Sequence, residues 1–163
     1  YRRQYGYDYI SAMPTNLYGP GDNFNLETSH VIPALIRKAH EAKERGDKEM
    51  VIWGTGTPRR EFLYVDDCAD GLVHLMKGYS GDSHINIGSG RDGTILELAE
   101  IIAKTVGFTG KIALDPSKPD GAPRKLMSAD KIRALGWAPS VPLEEGLATK
   151  YRWFLEANVR RNA

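Results

Sequence analysis

Two adjacent guanidinium groups, Arg59 and Arg60, follow a turn carrying Gly54, Gly56 and Pro58, and an indole, Trp53, precedes that turn. An arginine presents a planar fork of donors that suits phosphate oxygens, and the bare amides of a tight glycine turn add donors for the same anion. Binding of a phosphorylated ligand is therefore the chemistry this set can do. The plain alternative is a surface hairpin with two solvated arginines, because arginines are mostly exposed. His30 falls at the start of a predicted helix, where a lone histidine is more often structural or exposed than catalytic. Lys38, two turns on, reads by itself as part of a solvated helix face. Residues 115–125 form a long loop with three prolines, two acids and three basic groups, Asp120 and Lys125 among them. A loop of that length often carries function.

The elements that must position these groups are legible from periodicity and punctuation. Residues 50–53 read as a short buried strand, ended by the glycines and by Pro58. A second strand is expected over 61–65. Asp66 or Asp67 then caps a helix around 68–77 with Leu72, Val73, Leu75 and Met76 as its apolar positions and Cys68 as inert core. Upstream, residues 1–6 look like the last turns of a helix closed by Gly6, so the chain is expected to begin inside an element. A strand over 9–13 ends at Pro14, and residues 15–23 read as a loop of turn formers. Such a loop lies at the carboxyl end of a strand, where open α/β sheets bind ligands. Thr28 or Ser29 can cap a helix over 30–45, with Val31, Ala34, Leu35 and Ala39 buried and Pro33 in the first turn. The mixed charges of 41–49 mark an exposed helix end. Two further helices are expected over 128–135 and 143–158, with Trp137, Leu147, Tyr151, Phe154 and Leu155 as core.

Gly88, Gly90 and Gly93 spell Gly-x-Gly-x-x-Gly after an apparent strand, with a helix and the strand 111–114 behind them. That is the outline of a dinucleotide-binding unit. We reject it: in the fingerprint the third glycine lies in the helix, whereas Thr94 and Glu97 spell a capping box that starts the helix after Gly93. No further βαβ unit follows Asp115.

A chain of 163 residues, 41% apolar and 26% charged, suits one ordinary globular domain that buries about 70% of its extended-chain surface. A net charge of +1 gives no electrostatic reason to expect nucleic acid or an anionic membrane. One cysteine excludes an internal disulfide, nothing has thiolate-zinc spacing, and no apolar run could span a bilayer. A cytoplasmic protein is expected.

Arg60-Glu-Phe-Leu-Tyr-Val-x-Asp67 resembles the arginine-acid-aromatic motif of extended short-chain dehydrogenases that act on nucleotide sugars. The longer run from Trp53 to Phe62, with Ser117-Lys-Pro-Asp-Gly-x-Pro-Arg-Lys125, is similar to the GDP-L-fucose synthase branch. The resemblance covers essentially the whole chain. It implies an α/β fold, the C-terminal portion of an extended short-chain dehydrogenase: the last strands of a Rossmann sheet (1–24 and 59–90) plus a small substrate-binding lobe (25–58 and 91–160). It implies NADPH as cofactor and GDP-4-keto-6-deoxy-D-mannose as substrate, epimerised at C3 and C5 and reduced at C4. His30 matches the proton donor of epimerisation, which also approaches the cofactor. Pro14, Thr15, Asn16 and Leu17 match the nicotinamide side of the cofactor site. Lys38, Trp53, Arg60, Asp120 and Lys125 match the substrate-binding residues, with Arg60 oriented by the neighbouring acid. Family members carry arginine where this chain has Lys38, and lysine lacks the bidentate fork. The intact enzyme is expected to be a homodimer.

Such enzymes also need a Tyr-x-x-x-Lys pair, in which the tyrosine moves the proton and the lysine lowers its pKa. No tyrosine here has a lysine four residues on. The chain is thus expected to hold the substrate half of the site and to be inactive alone. Another nucleotide-sugar epimerase or dehydratase, and a non-catalytic sugar-nucleotide-binding module, are the alternatives.

Overall fold

The computed structural model describes residues 1–157. Its elements run α1 (Arg2–Tyr5), β1 (Ala12–Pro14), β2 (Asn16–Tyr18), α2 (Val31–Arg45), β3 (Glu49–Trp53), β4 (Arg59–Tyr64), α3 (Val65–Gly78), β5 (Ile85–Ile87), β6 (Asp92–Thr94), α4 (Ile95–Val106), β7 (Lys111–Asp115), β8 (Arg124–Lys125), α5 (Asp130–Ala134) and α6 (Leu143–Glu156). The fold is α/β. β1 pairs with β5, β2 with β4, β3 with β7 and β8 with β4, all parallel, and β6 runs antiparallel to β4. Parallel neighbours need long crossovers, and helices supply them.

Two apolar cores flank β4. The first joins α2, α4 and α6 to β3 through Ile36, Ile52, Ile102, Leu147 and Phe154. The second joins Leu63, Cys68, Leu75, Ile85 and Ile87 to Ile132 and Trp137. Alternation along β4 sends Leu63 into one core and Tyr64 into the other, so the strand is the wall between them. In β3, Met50 and Ile52 are buried while Val51 and Trp53 face out. That alternation is what leaves the Trp53 ring exposed.

Several boundaries differ from the sequence reading, each for a tertiary reason. The first strand is Ala12–Pro14, not 9–13, because Tyr9 stacks on Tyr7 at the surface. The expected loop after it contains β2, held in register by Phe62, Leu63 and Tyr64; pairing with a distant strand overrides turn propensity. Helix α2 buries Ile32, Leu35, Ile36 and Ala39, a stripe rotated from the one expected. Neither Thr28 nor Ser29 caps it; His30 occupies the N-cap without a side-chain bond. The strand β4 ends at Tyr64, and α3 begins at Val65 with no cap from Asp66 or Asp67. The Asp67 carboxylate instead accepts from Ser140 N, Ser140 Oγ and Val141 N. Leu72, Val73 and Met76 are exposed rather than core, because α3 turns Cys68, Gly71 and Leu75 inward. Gly71 permits this: a Cβ there would meet the Trp137 ring at 3.0 Å. Leu155 is exposed as well. The expected end of the last helix at residue 158 lies outside the described residues.

Candidate functional site

A cleft of about 540 Å³ opens beside β4 and gathers Asn16, Leu17, His30, Trp53, Arg60 and Asp120. Each arrives from a different element. Asn16 and Leu17 start β2, where the chain leaves the carboxyl end of β1. His30 ends the loop before α2. Within that loop Asn25 Oδ1 accepts from Glu27 N at 2.8 Å and Thr28 N at 3.2 Å. Lys150, fully buried beneath the Phe24 ring, forms an ion pair with Asp22 and ties the loop to α6. Burial lowers the Lys150 pKa and Asp22 opposes that shift. The His30 side chain makes no hydrogen bond among the described residues, so its ring is open to the cleft. Pro14, Thr15, Lys38 and Lys125 do not line the cleft.

The basic groups are sorted by strand alternation. Arg59 stands opposite Thr94 and Arg124, and Arg60 opposite Gly93 and Lys125. Partners in register share a face, so Arg59 pairs with Arg124 on one side and Arg60 with Lys125 on the other. Asp92 receives the first pair: Arg59 Nε at 3.1 Å and Arg124 Nε at 2.5 Å. Hydrogen bonds, first from Arg124 and then from Arg59, hold its carboxyl below the usual carboxylate range. Among the described residues no acid forms an ion pair with the second pair, whereas Asp92 does so with the first. Two cationic side chains on strands about 4.8 Å apart can bracket a diphosphate. The expectation that the adjacent acid orients Arg60 is overturned. Arg60 Nη1 donates to Arg59 O at 2.8 Å, and the Glu61 carboxylate turns to the opposite face, toward Ser89 and Gly90.

Trp53 presents its ring with Lys38 Nζ 4.9 Å and Lys118 Nζ 5.7 Å from the centroid. An exposed ring flanked by cations is a platform for a planar base next to phosphate. Lys38 also donates to Val51 O at 3.4 Å, and burial lowers its pKa. Asp120 reaches back over the glycine turn and accepts from Thr55 N at 2.9 Å and Thr55 Oγ1 at 2.7 Å. Those two bonds, the side-chain one first, lower its pKa. A Cβ on Gly54, whose φ is +80°, would sit 2.1 Å from Asp120 Oδ1, so this approach requires glycine.

The rejection of Gly88–Gly93 as a dinucleotide turn agrees with the structure. Helix α4 starts at Ile95 behind the capping box of Thr94 and Glu97, and Gly93 lies on β6 against Arg60. Glu61 is fully buried behind the cleft, a place the sequence reading did not give it. Its signal was present: it shares a strand face with Leu63, and a buried acid must find donors. A larger cavity of about 1020 Å³ lies along β4, β6 and α4, but its rim mixes Arg91 and Arg133 with Glu97, Glu100 and Glu144. That mixture suits no one ligand charge, and the smaller cleft is the candidate site. Among the described residues there is no cluster of metal-ligating side chains and no helix long and apolar enough to cross a membrane.

The chain is 60% identical over 156 residues to a probable GDP-L-fucose synthase 1 of Oryza sativa subsp. japonica, a match covering 96% of the chain and 48% of the relative. It is 53% identical to a GDP-L-fucose synthase of Escherichia coli (strain K12), over 96% of the chain and 51% of the relative. Its backbone superposes with a TM-score of 0.85 on a GDP-L-fucose synthetase from Naegleria fowleri bound to NADP. That pair is 36% identical, and the match covers 93% of this chain and 47% of the other. The chain spans about half the length of the curated relatives it matches. Residues 1–88 fit the profile of a family described as the NAD dependent epimerase/dehydratase family. With more than half of its length inside that profile, the chain belongs to the NAD dependent epimerase/dehydratase family.

Proposed function

We propose that this chain supplies the substrate-binding part of an NADPH-dependent enzyme that epimerises C3 and C5 of GDP-4-keto-6-deoxy-D-mannose and reduces C4, giving GDP-L-fucose. One observation carries the reading: a single cleft joins Asn16, Leu17 and His30 to Trp53, Arg60 and Asp120. The similarity to GDP-L-fucose synthases supports it. Arg60 and Lys125 hold the diphosphate, Lys38 adds charge beside it, and Trp53 gives the base a flat apolar face. Asp120 exchanges Thr55 for a ligand hydroxyl. His30 donates a proton at the sugar carbon during epimerisation. Residues 1–24 and 59–90 belong in this reading to the cofactor domain, and 25–58 and 91–160 to the substrate lobe.

The residues present fit the nicotinamide end of the cofactor. The 14–17 segment leaves the carboxyl end of a parallel strand and sets Asn16 and Leu17 beside His30, an edge both polar and apolar. They do not form a pyrophosphate cradle, because the glycine turn of suitable spacing is filled by Glu61. NADPH, when bound, supplies the hydride for C4.

The test is NADPH consumption by the full-length gene product with GDP-4-keto-6-deoxy-D-mannose, against the matching UDP- and dTDP-sugars. Oxidation with the GDP substrate alone, yielding GDP-L-fucose, is expected. Preference for a UDP- or dTDP-sugar moves the assignment to another nucleotide-sugar epimerase. GDP-sugar binding without oxidation makes the protein a binding module.

A further inference from the structure

The Gly88-Ser89-Gly90 turn has the build of an anion cradle, and its anion belongs to the protein. Glu61 Oε1 accepts from Gly90 N at 2.7 Å and from Ser89 Oγ at 3.3 Å. Oε2 accepts from Met127 N at 3.0 Å. Room for the carboxylate is made by glycine: a Cβ on Gly88 would stand 2.4 Å from Oε1. Glu61 is fully buried, so bulk solvent does not reach its carboxylate and these donors carry its hydrogen bonding.

The three donors are not arbitrary. Met127 lies two residues after Lys125, the cation that stands beside Arg60 in the β4–β8 register. The same residue's main chain works in the other direction: Glu61 O accepts from Asn16 Nδ2 at 2.8 Å and Thr15 Oγ1 at 3.5 Å. One residue, next to Arg60 in the chain, thus touches both the segment carrying Lys125 and the segment beside His30. We propose that Glu61 is a positioning residue. Its carboxylate, seated in the glycine cradle, fixes Lys125 beside Arg60, and its carbonyl fixes the Thr15–Asn16 edge. This inference rests on the reading of the cleft as a GDP-sugar site. Glu61 touches no ligand; it acts through Lys125 and Asn16.

The substitution Glu61→Gln keeps the shape but points an amide NH₂ at a donor, so one of the three bonds is lost. In the full-length gene product, GDP binding is measured by titration for the unaltered protein, Glu61→Gln, Lys125→Ala and the double variant, with melting temperatures alongside. Glu61→Gln is expected to weaken GDP binding about tenfold, as expected for loss of a buried hydrogen-bonded contact. In the Lys125→Ala background the same change should cost less than about threefold, since its target is gone. Should Glu61→Gln fail to fold, Gly88→Ala displaces the carboxylate without removing it, and it should show the same dependence on Lys125. Full multiplicative loss in the double variant, by either route, overturns the inference and leaves the GDP site standing. Failure of the unaltered protein to bind GDP overturns the site and the inference together.

Discussion

Two glycine turns follow short parallel strands in this protein, and both are approached by a carboxylate. The turn after β3 receives Asp120, and a Cβ on Gly54 would collide with it. The turn after β5 receives Glu61, and a Cβ on Gly88 would collide with that. What differs is the origin and burial of the acid. Asp120 comes from an exposed loop, and its bonds to Thr55 are in contact with water. Glu61 comes from the central strand and is sealed between the cores. An exposed hydrogen bond exchanges with solvent or ligand at little cost, whereas a buried acceptor cannot leave without stranding its donors. The first turn can therefore meet a ligand directly, and the second can act on the site only through the segments it holds. A glycine-rich spacing marks a place where an anion fits; the tertiary structure decides whether the protein has already filled it.

That contrast can be broken by experiment, because changes at the open side should register in catalysis or binding with stability unchanged, whereas changes at the closed turn should register in stability as well as in binding. The largest expected effect is on the open side. In the full-length gene product, His30→Gln should slow epimerisation by about 10²–10⁴-fold with an unchanged melting temperature. Turnover near the unaltered rate makes His30 structural. On the closed side, Glu61→Ala removes a buried acceptor from the part-buried donors Gly90 N, Ser89 Oγ and Met127 N and leaves its own space empty, so it should lower unfolding free energy by about 2–5 kcal/mol in a denaturant titration. A change within about 0.5 kcal/mol contradicts the sealed cradle.

Next in size is Arg60→Ala, which should raise the Michaelis constant for the GDP-sugar by about 10–100-fold, the worth of a charge-assisted hydrogen bond. An unchanged constant removes Arg60 from the site. The smallest effect is at Asp120, where Asp120→Asn should weaken GDP binding by less than about tenfold. Its pH dependence has a definite sign. The Asp120 pKa is lowered in the folded state, so the latch on Thr55 is fully present above the unfolded value near 3.9 and is lost as pH falls through the folded value. Hydrogen-exchange protection of the Thr55 amide should hold at neutral pH and fade in acid, and Asp120→Asn should abolish that fade.

Much of this was legible from local pattern. The strand Glu49–Trp53, the capping box at Thr94 and Glu97, the C-terminal glycine of the first helix and the Arg-Glu-Phe strand each follow from spacing that acts within one or two turns of chain. The apolar faces of α2 and α3 were misread because a helix with apolar residues on several sides can be rotated either way. The choice fell to Ile32 and Ile36 in one and to the Trp137 ring against Gly71 in the other. The β2 strand was invisible because its partner lies 46 residues away.

The sequence by itself determined the helices and the strands β3 and β4, the family and which side chains have the right chemistry: an imidazole at a helix start, an indole, and basic groups on three segments, while the short strands β2 and β8 fell inside stretches expected to be loops. Only the tertiary structure decided which of them meet. The alignment of Arg60 with Lys125, the neutralisation of Arg59 and Arg124 by Asp92, and the seating of Glu61 in a turn built for an anion all depend on strand register across long loops. Register is set where distant apolar faces are buried together, and a shift of one residue would send every one of these side chains to the opposite face.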